Sequence, residues 1–216
     1  EHRPTGYSRT YPNLMTQEGI YGDEQNPLAE NSLTILFSRM LAGAADNTIC
    51  YFSPEVDRLW NHSYQLAKSI MFYSPWQFLF WYDRPLASPD KGGAGDVESR
   101  ILEVSELEFF NKLPTVWDDT KVLDGKIGKY AAIARKSGDE WYLGIMTAEL
   151  IQLDIRFNFL DSNKTYIVYE YIDIDDNKNS VTGVEIKKYK VSDKTIINFN
   201  LRKSSGVALR IIPVDN

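Results

Sequence analysis

From Ile151 onward the chain alternates without a break: Ile151, Leu153, Ile155, Phe157 and Phe159 are apolar, and Gln152, Asp154, Arg156 and Asn158 between them are polar. Successive side chains of a strand point to opposite faces, so a period of two defines a half-buried strand with one wet face. Strand-like runs continue at residues 165–172, 184–191, 195–201 and 207–212. Upstream, residues 130–135 and 141–147 flank Lys136-Ser137-Gly138-Asp139-Glu140, a hairpin signature. Lysine concentrates on the faces that alternation turns to water. These spacings predict a small antiparallel β-sandwich over residues 114–216, beginning at Pro114.

Before Pro114 the period changes. Leu33, Leu36, Phe37, Met40 and Leu41 share one face of a helix predicted over residues 32–43, with Ser32 as its cap and Gly43 as its end. A buried strand is expected at residues 47–52. A second helix is expected at 59–73, with Leu66, Ala67, Ile70 and Met71 inward and Pro75 stopping it. Residues 76–81 are nearly all apolar, which suits a parallel strand covered on both faces. A Gly/Pro/Asp loop at 84–96 then leads to a helix over 97–113. Helix alternating with strand predicts a parallel α/β unit over residues 1–113. The expected class is therefore α/β plus all-β.

The net charge of −6 over 216 residues gives no electrostatic footprint for nucleic acid. All of that excess lies in residues 1–113, where a cation-binding pocket and an acidic solvated face account for it equally well. Cys50 is the single cysteine, which excludes an internal disulfide and a cysteine-rich zinc site and leaves the redox compartment open. No apolar run has the roughly 18 residues a membrane span needs.

Residues 3–25, RPTGYSRTYPNLMTQEGIYGDEQ, have no sustained period and are rich in Pro, Gly, Arg and Tyr. Such a stretch reads as a long shaped loop, and long loops in compact domains are usually functional. Glu18 and Glu24 lie six positions apart with Gly19 and Gly22 between them, so the backbone can turn both carboxylates toward one place. The run resembles the active-site segment of glycoside hydrolase family 97, the α-glucosidase and α-galactosidase family, with its PTG, RTYPN and EG-x-x-G-x-E steps. Further likeness lies in Arg39-Met40-Leu41-Ala42-Gly43 with Asp46, in Tyr73-Ser74-Pro75, in the stretch from Trp117 to Gly125, and in Ile133-Ala134-Arg135-Lys136. It runs from residue 1 to about residue 147.

The resemblance implies that residues 1–113 are the last units of a (β/α)8 barrel, whose active site lies on loops at the C-terminal ends of its strands. It makes Glu24 the general acid that protonates the leaving oxygen, a role that needs a raised pKa. It makes Glu18 a ligand of a calcium ion beside the substrate, with Glu24 and Glu1 near the same ion. Glu1 maps onto the base of the inverting α-glucosidase branch, although it stands one residue nearer the Pro-Thr-Gly step than in that branch. The retaining branch instead uses an aspartate nucleophile from a strand outside these residues. Arg9 and Tyr11 either bind sugar hydroxyls or fix the loop, and Asp46 either caps a helix or contacts substrate.

On this reading the chain is a fragment of a calcium-dependent α-glucosidase, inactive alone. Its partners are an oligosaccharide and the missing N-terminal part of the same enzyme, and its place is periplasmic or secreted. The alternatives are a retaining α-galactosidase and a non-catalytic carbohydrate-binding fragment. Trp76, Trp81 and Trp117 read as core more than as sugar platforms, and His2 and His62 carry no metal spacing. The run from Asp173 to Lys178 imitates an EF-hand opening but lacks its glycine and its closing acid, so it reads as a polar turn.

Overall fold

Ser137 pairs directly with Glu140, and Gly138 between them takes φ +57°, the left-handed backbone that a two-residue hairpin turn requires. The strands it joins belong to the larger of two antiparallel sheets. The computed structural model describes residues 10–79, 102–174 and 181–214, apart from the side chains of Glu24, Pro54, Glu55 and Asp57. The large sheet has six strands in the order β3-β4-β5-β10-β7-β8. They are β3 (Asp119–Lys126), β4 (Tyr130–Ser137), β5 (Glu140–Thr147), β7 (Thr165–Asp173), β8 (Val184–Val191) and β10 (Ser205–Val214). The alternating run forms β6 (Ile151–Arg156) and pairs with β9 (Ile196–Leu201) as a separate two-stranded sheet.

Leu153, Ile155, Phe199 and Leu201 of the small sheet face Ala132, Leu143, Ile145, Val168, Leu209 and Ile211 of the large one, forming the sandwich core. The opposite face of the large sheet is covered by helices. They are α1 (Ala29–Leu36), α2 (Pro54–Leu59), α3 (His62–Met71) and α4 (Leu107–Lys112). Tyr64, Ala67 and Met71 of α3 pack on Ala131, Ile133 and Met146, while Leu66 and Ile70 pack among Tyr142, Tyr171 and Ala208. The central strands are buried on both faces, which is why β4 and β5 lack the clean alternation of β6.

Helix α3 is the keystone of this arrangement. Asn61 caps it, its side-chain oxygen accepting the Tyr64 N–H at 2.9 Å. The Asp173 carboxylate accepts the Ser63 N–H at 2.9 Å, and burial holds that carboxyl above its ordinary range. At the other end Arg135 donates to the Met71 carbonyl at 3.0 Å, a cation at the negative end of the helix dipole. The Arg135 guanidinium also donates to Thr120 Oγ1 at 3.1 Å and lies over the rings of Tyr73 and Trp117. Burial pulls its pKa down to about 10. The two buried glycines Gly144 and Gly206 let the helix approach closely: a Cβ at Gly144 would stand 2.8 Å from the Ala67 carbonyl oxygen.

Several sequence expectations are corrected. The helix expected at 32–43 begins at Ala29, leaves α geometry after Leu36, and resumes as a 3-10 turn at Arg39–Ala42. Ser32 is a buried residue inside it and not its cap. The helix expected at 59–73 is two helices, α2 and α3, parted at Trp60-Asn61. The strands expected at 47–52 and 76–81 shrink to β1 (Asn47–Thr48) and β2 (Gln77–Phe78), paired in parallel, and residues 80 and 81 lie outside the described residues. The helix expected over 97–113 is described only as Leu107–Lys112. Trp76, expected in the core, is 55% exposed. Trp117 is half-buried under Arg135, and Trp81 lies outside the described residues. His62 is buried edge-on against Tyr51, and the Cys50 side chain is buried. No helix among the described residues is long and apolar enough to cross a membrane.

Candidate functional site

Three chain segments run side by side, the first of them part of the loop that the sequence singled out. Gln17 and Ala45 form a parallel bridge, and the Asp46 N–H donates to the Gln17 carbonyl at 3.3 Å. On the far side the Ala45 N–H donates to Tyr73 O at 3.1 Å and the Ile49 N–H to Phe78 O at 2.7 Å. Backbone pairing thus orders the segments as 16–18, 45–49 and 73–78.

Arg39 clamps this junction. Its guanidinium donates to the carbonyls of Gln17 at 2.9 Å, Gly43 at 3.0 Å, Glu18 at 3.1 Å and Ala44 at 3.2 Å. Burial lowers its pKa, and the nearby Asp46 charge opposes that shift. Gly19 is the hinge: it takes φ +121°, and a Cβ there would stand 2.9 Å from Arg39 Nε. Gly22 plays a different part from the one expected. It has φ −70° and ψ 167°, an extended backbone any residue adopts, and it leads into the 3-10 turn Asp23–Gln25.

The expected site residues fall as follows. Glu18 is exposed, with its backbone held by Arg39. Asp46 is half-buried and its carboxylate accepts a hydrogen bond from the Thr16 hydroxyl, so Asp46 and the Thr16–Gln17–Glu18 stretch are brought together. Tyr11 is exposed, its carbonyl accepting the Leu14 N–H at 3.0 Å. Glu24 has its backbone in the 3-10 turn, with its side chain outside the described set. Glu1 and Arg9 also lie outside the described residues. A hollow of about 220 Å³ opens beside this junction, lined by Met15, Thr16, Gln17, Gly43, Ala44 and Tyr73.

A calcium ion takes about 6–8 oxygen ligands. No three His, Cys, Asp or Glu side chains converge among the described residues, and Asp46 is engaged by Thr16 in the field of Arg39. The described donors do not fit a calcium site by themselves.

Sequence reasoning gave no role to Arg39, Thr16 or Lys68. Arg39 belongs to the Arg39–Gly43 run that shares the family likeness, but its partners are backbone carbonyls, which leave no mark in a sequence. Lys68 Nζ lies 2.5 Å from Asp23 Oδ1, with side-chain exposures of 1% and 0%. The Asp23 carboxylate also accepts the Cys50 N–H at 3.4 Å. This ion pair ties α3 to the turn that bears Glu24.

Residues 116–212 match the family described as "Glycosyl-hydrolase 97 C-terminal, oligomerisation". The chain is 28% identical, over 97% of its own length and 32% of the relative's, to a protein named retaining alpha-galactosidase from Bacteroides thetaiotaomicron. It is 32% identical, over 65% of its length and 20% of the relative's, to a probable retaining alpha-galactosidase from Streptomyces bingchenggensis. Its backbone matches a family-97 enzyme from Pseudoalteromonas sp. strain K8, solved with acarbose, at a TM-score of 0.77 and 28% identity, covering 97% of this chain and 33% of that one. Residues 116–212 are thus a C-terminal domain of glycoside hydrolase family 97, and the chain as a whole is similar to members of that family. The chain spans about a third of the length of the first of these curated relatives.

Proposed function

We propose that these residues serve a glycoside hydrolase that removes terminal α-linked sugars with retention of configuration, an α-galactosidase by preference. The observation that carries this reading is the pair of curated relatives, both named as retaining α-galactosidases, which favours that branch over the inverting α-glucosidase expected from the opening segment. In this proposal the three parallel segments are closing strands of a (β/α)8 barrel, and the sandwich is the domain that follows it. Glu24 protonates the leaving oxygen, and a carboxylate roughly 5–5.5 Å away attacks the sugar. That nucleophile comes from outside this chain, and Glu1 then has no role as a base. Arg9, Tyr11 and Asp46 contribute to the sugar-binding side, with Arg39 holding the Glu18 backbone in place.

Calcium belongs to this proposal as a requirement of the whole enzyme, with Glu18 as one donor from this chain. A periplasmic or secreted location is proposed because oligosaccharide substrates are met there. A glucoside-acting enzyme is the second reading, favoured by solved relatives from Pseudoalteromonas in complex with acarbose and with panose.

Proton NMR of the first sugar released by the complete enzyme decides the stereochemistry. The α-anomer is expected first from an aryl α-galactoside, and the β-anomer appearing first would refute retention. Comparing kcat/KM for α-galactoside and α-glucoside separates the two sugar readings. The 216-residue chain alone is expected to show no turnover of a nitrophenyl α-glycoside, and measurable turnover would refute its dependence on further barrel strands.

A further inference from the structure

We propose that the buried Lys68–Asp23 ion pair is the device that positions Glu24, an inference that rests on the reading of Glu24 as the acid. A 3-10 turn of three residues has little rigidity of its own, and the internal bonds of this one are few. The Gln25 N–H donates to Gly22 O and the Asn26 N–H to Asp23 O, both at 3.0 Å. Its fixed point is therefore the Asp23 side chain, held at 2.5 Å by Lys68 and at 3.4 Å by the Cys50 N–H. The Glu24 Cα follows that of Asp23 by about 3.8 Å along the backbone. Any movement of Asp23 is passed on to it.

The anchor behind Lys68 is firm. Lys68 stands on α3, which is fixed at its start by Asn61 and Asp173 and at its end by Arg135. The Lys68 ammonium lies 5.0 Å from the centre of the Phe72 ring, so the cation is packed as well as paired. Burying two charges is costly, and apolar residues of like volume would join helix and turn more cheaply. What the pair adds is one defined geometry. The support therefore runs from the sandwich through α3 and Lys68 to Asp23, and from there to the neighbouring acid. Lys68 and Asp23 are positioning residues in this scheme.

The experiment uses the complete enzyme with two α-glycosides, one with a sugar leaving group and one with a dinitrophenolate that departs without a proton. K68M leaves Asp23 buried and unpaired, so the chief variant is the double substitution D23N/K68M, which removes both charges. The expected result is a fall of about 10²-fold in kcat for the sugar leaving group, the scale for a misplaced catalytic group. KM for the sugar substrate is expected to hold, and kcat/KM for the dinitrophenyl glycoside, which reports only the first step and needs no proton, to stay near the wild-type value; its kcat falls because the same acid serves as base when water releases the sugar. A merely structural role would reduce kcat/KM for both substrates together, and that result overturns the proposal, as does full activity on both. D23E keeps the pair and lengthens it by one methylene. It is the variant to read if the double substitution does not fold, with the same split expected to a smaller degree. E24Q is the separate arm: wild-type turnover of the sugar substrate by E24Q would refute the acid assignment itself, whatever the pair does.

Discussion

Substituting Gly206 by alanine tests whether α3 rests directly on the sheet. Gly206 does not have a positive φ, so alanine is allowed there by the backbone and would stabilise by about 0.4–1 kcal/mol through the unfolded chain. The new Cβ would stand 2.7 Å from the Ile145 carbonyl oxygen and 2.9 Å from Tyr64 Cα. Both are backbone atoms, one in the sheet and one in the helix, and no side-chain rotation relieves them. Comfortable contact between carbons is roughly 3.5–4.0 Å, so α3 has to lift by more than half an ångström. That motion strains the 2.6 Å bond from Ser63 Oγ to Gly206 O and the 3.0 Å bond from Arg135 to Met71 O. Overpacking of this kind costs about 1–3 kcal/mol. Set against the chain-entropy gain, the net loss is about 1–2 kcal/mol, or a Tm lower by about 2–8 °C in a chain of this size. The control is Gly125→Ala, whose Cβ would stand 2.8 Å from Phe37 Cζ, the tip of a ring that can rotate away. It is expected to change stability by no more than about 0.5 kcal/mol. Urea denaturation followed by circular dichroism and tryptophan fluorescence measures both. Wild-type stability in Gly206→Ala, or a greater loss in Gly125→Ala, would refute the close seating of α3.

Two further outcomes follow from the charged contacts. Arg210 holds Glu140 by two bonds, Nε to Oε2 at 2.7 Å and Nη2 to Oε1 at 2.8 Å, and this pairing keeps the Glu140 carboxyl below its ordinary range. A depressed carboxyl pKa adds stability above the unfolded value near 4.3 and loses it as the pH falls through the folded value. Glu140→Gln is therefore expected to cost about 1–2 kcal/mol at pH 7 and to converge on wild type in melts below the ordinary carboxyl range; a gap that persists there would be inconsistent with the pairing. Arg135→Lys removes the planar fork that reaches both Met71 O and Thr120 Oγ1, and lysine does not replace it. A loss of about 1–3 kcal/mol is expected for the unpaired buried carbonyl, with a change in near-ultraviolet circular dichroism from Trp117; an unaltered melt and spectrum would remove Arg135 as the clasp of α3.

Where one face of an element meets water, the sequence was readable. The alternation of residues 151–156 became β6 with its polar positions exposed, and the Gly138 turn closed as its composition required. The inward residues of α3, Leu66, Ala67, Ile70 and Met71, are all buried. The helix expected at 32–43 failed because helical spacing alone placed Leu41 in the core, and Leu41 is 79% exposed. The chain leaves α geometry after Leu36, and Arg39 in the following 3-10 turn gathers four carbonyls. Strand β3 carried no readable signal, since it is a largely exposed edge strand with no apolar face to alternate.

The site was readable in proportion to how locally it is built. Glu18, Gly19 and Glu24 lie in one short stretch, and the left-handed backbone at Gly19 could be anticipated from the residue type. The parts that hold this stretch in place come from far along the chain. Lys68 sits in a helix whose ten residues are all buried, where helical periodicity marks it as a polar interruption of no evident use. Its partner is 45 residues away, and only the folding of α3 onto the sheet brings the two together. Periodicity reports which face of an element is dry, and it carries nothing about what a charge on the dry face will meet. A buried ion pair has therefore to be found in the fold. In this chain it joins the helix packed on the sheet to the turn that bears Glu24, which makes the placement of that turn a property of the sheet and helix behind it.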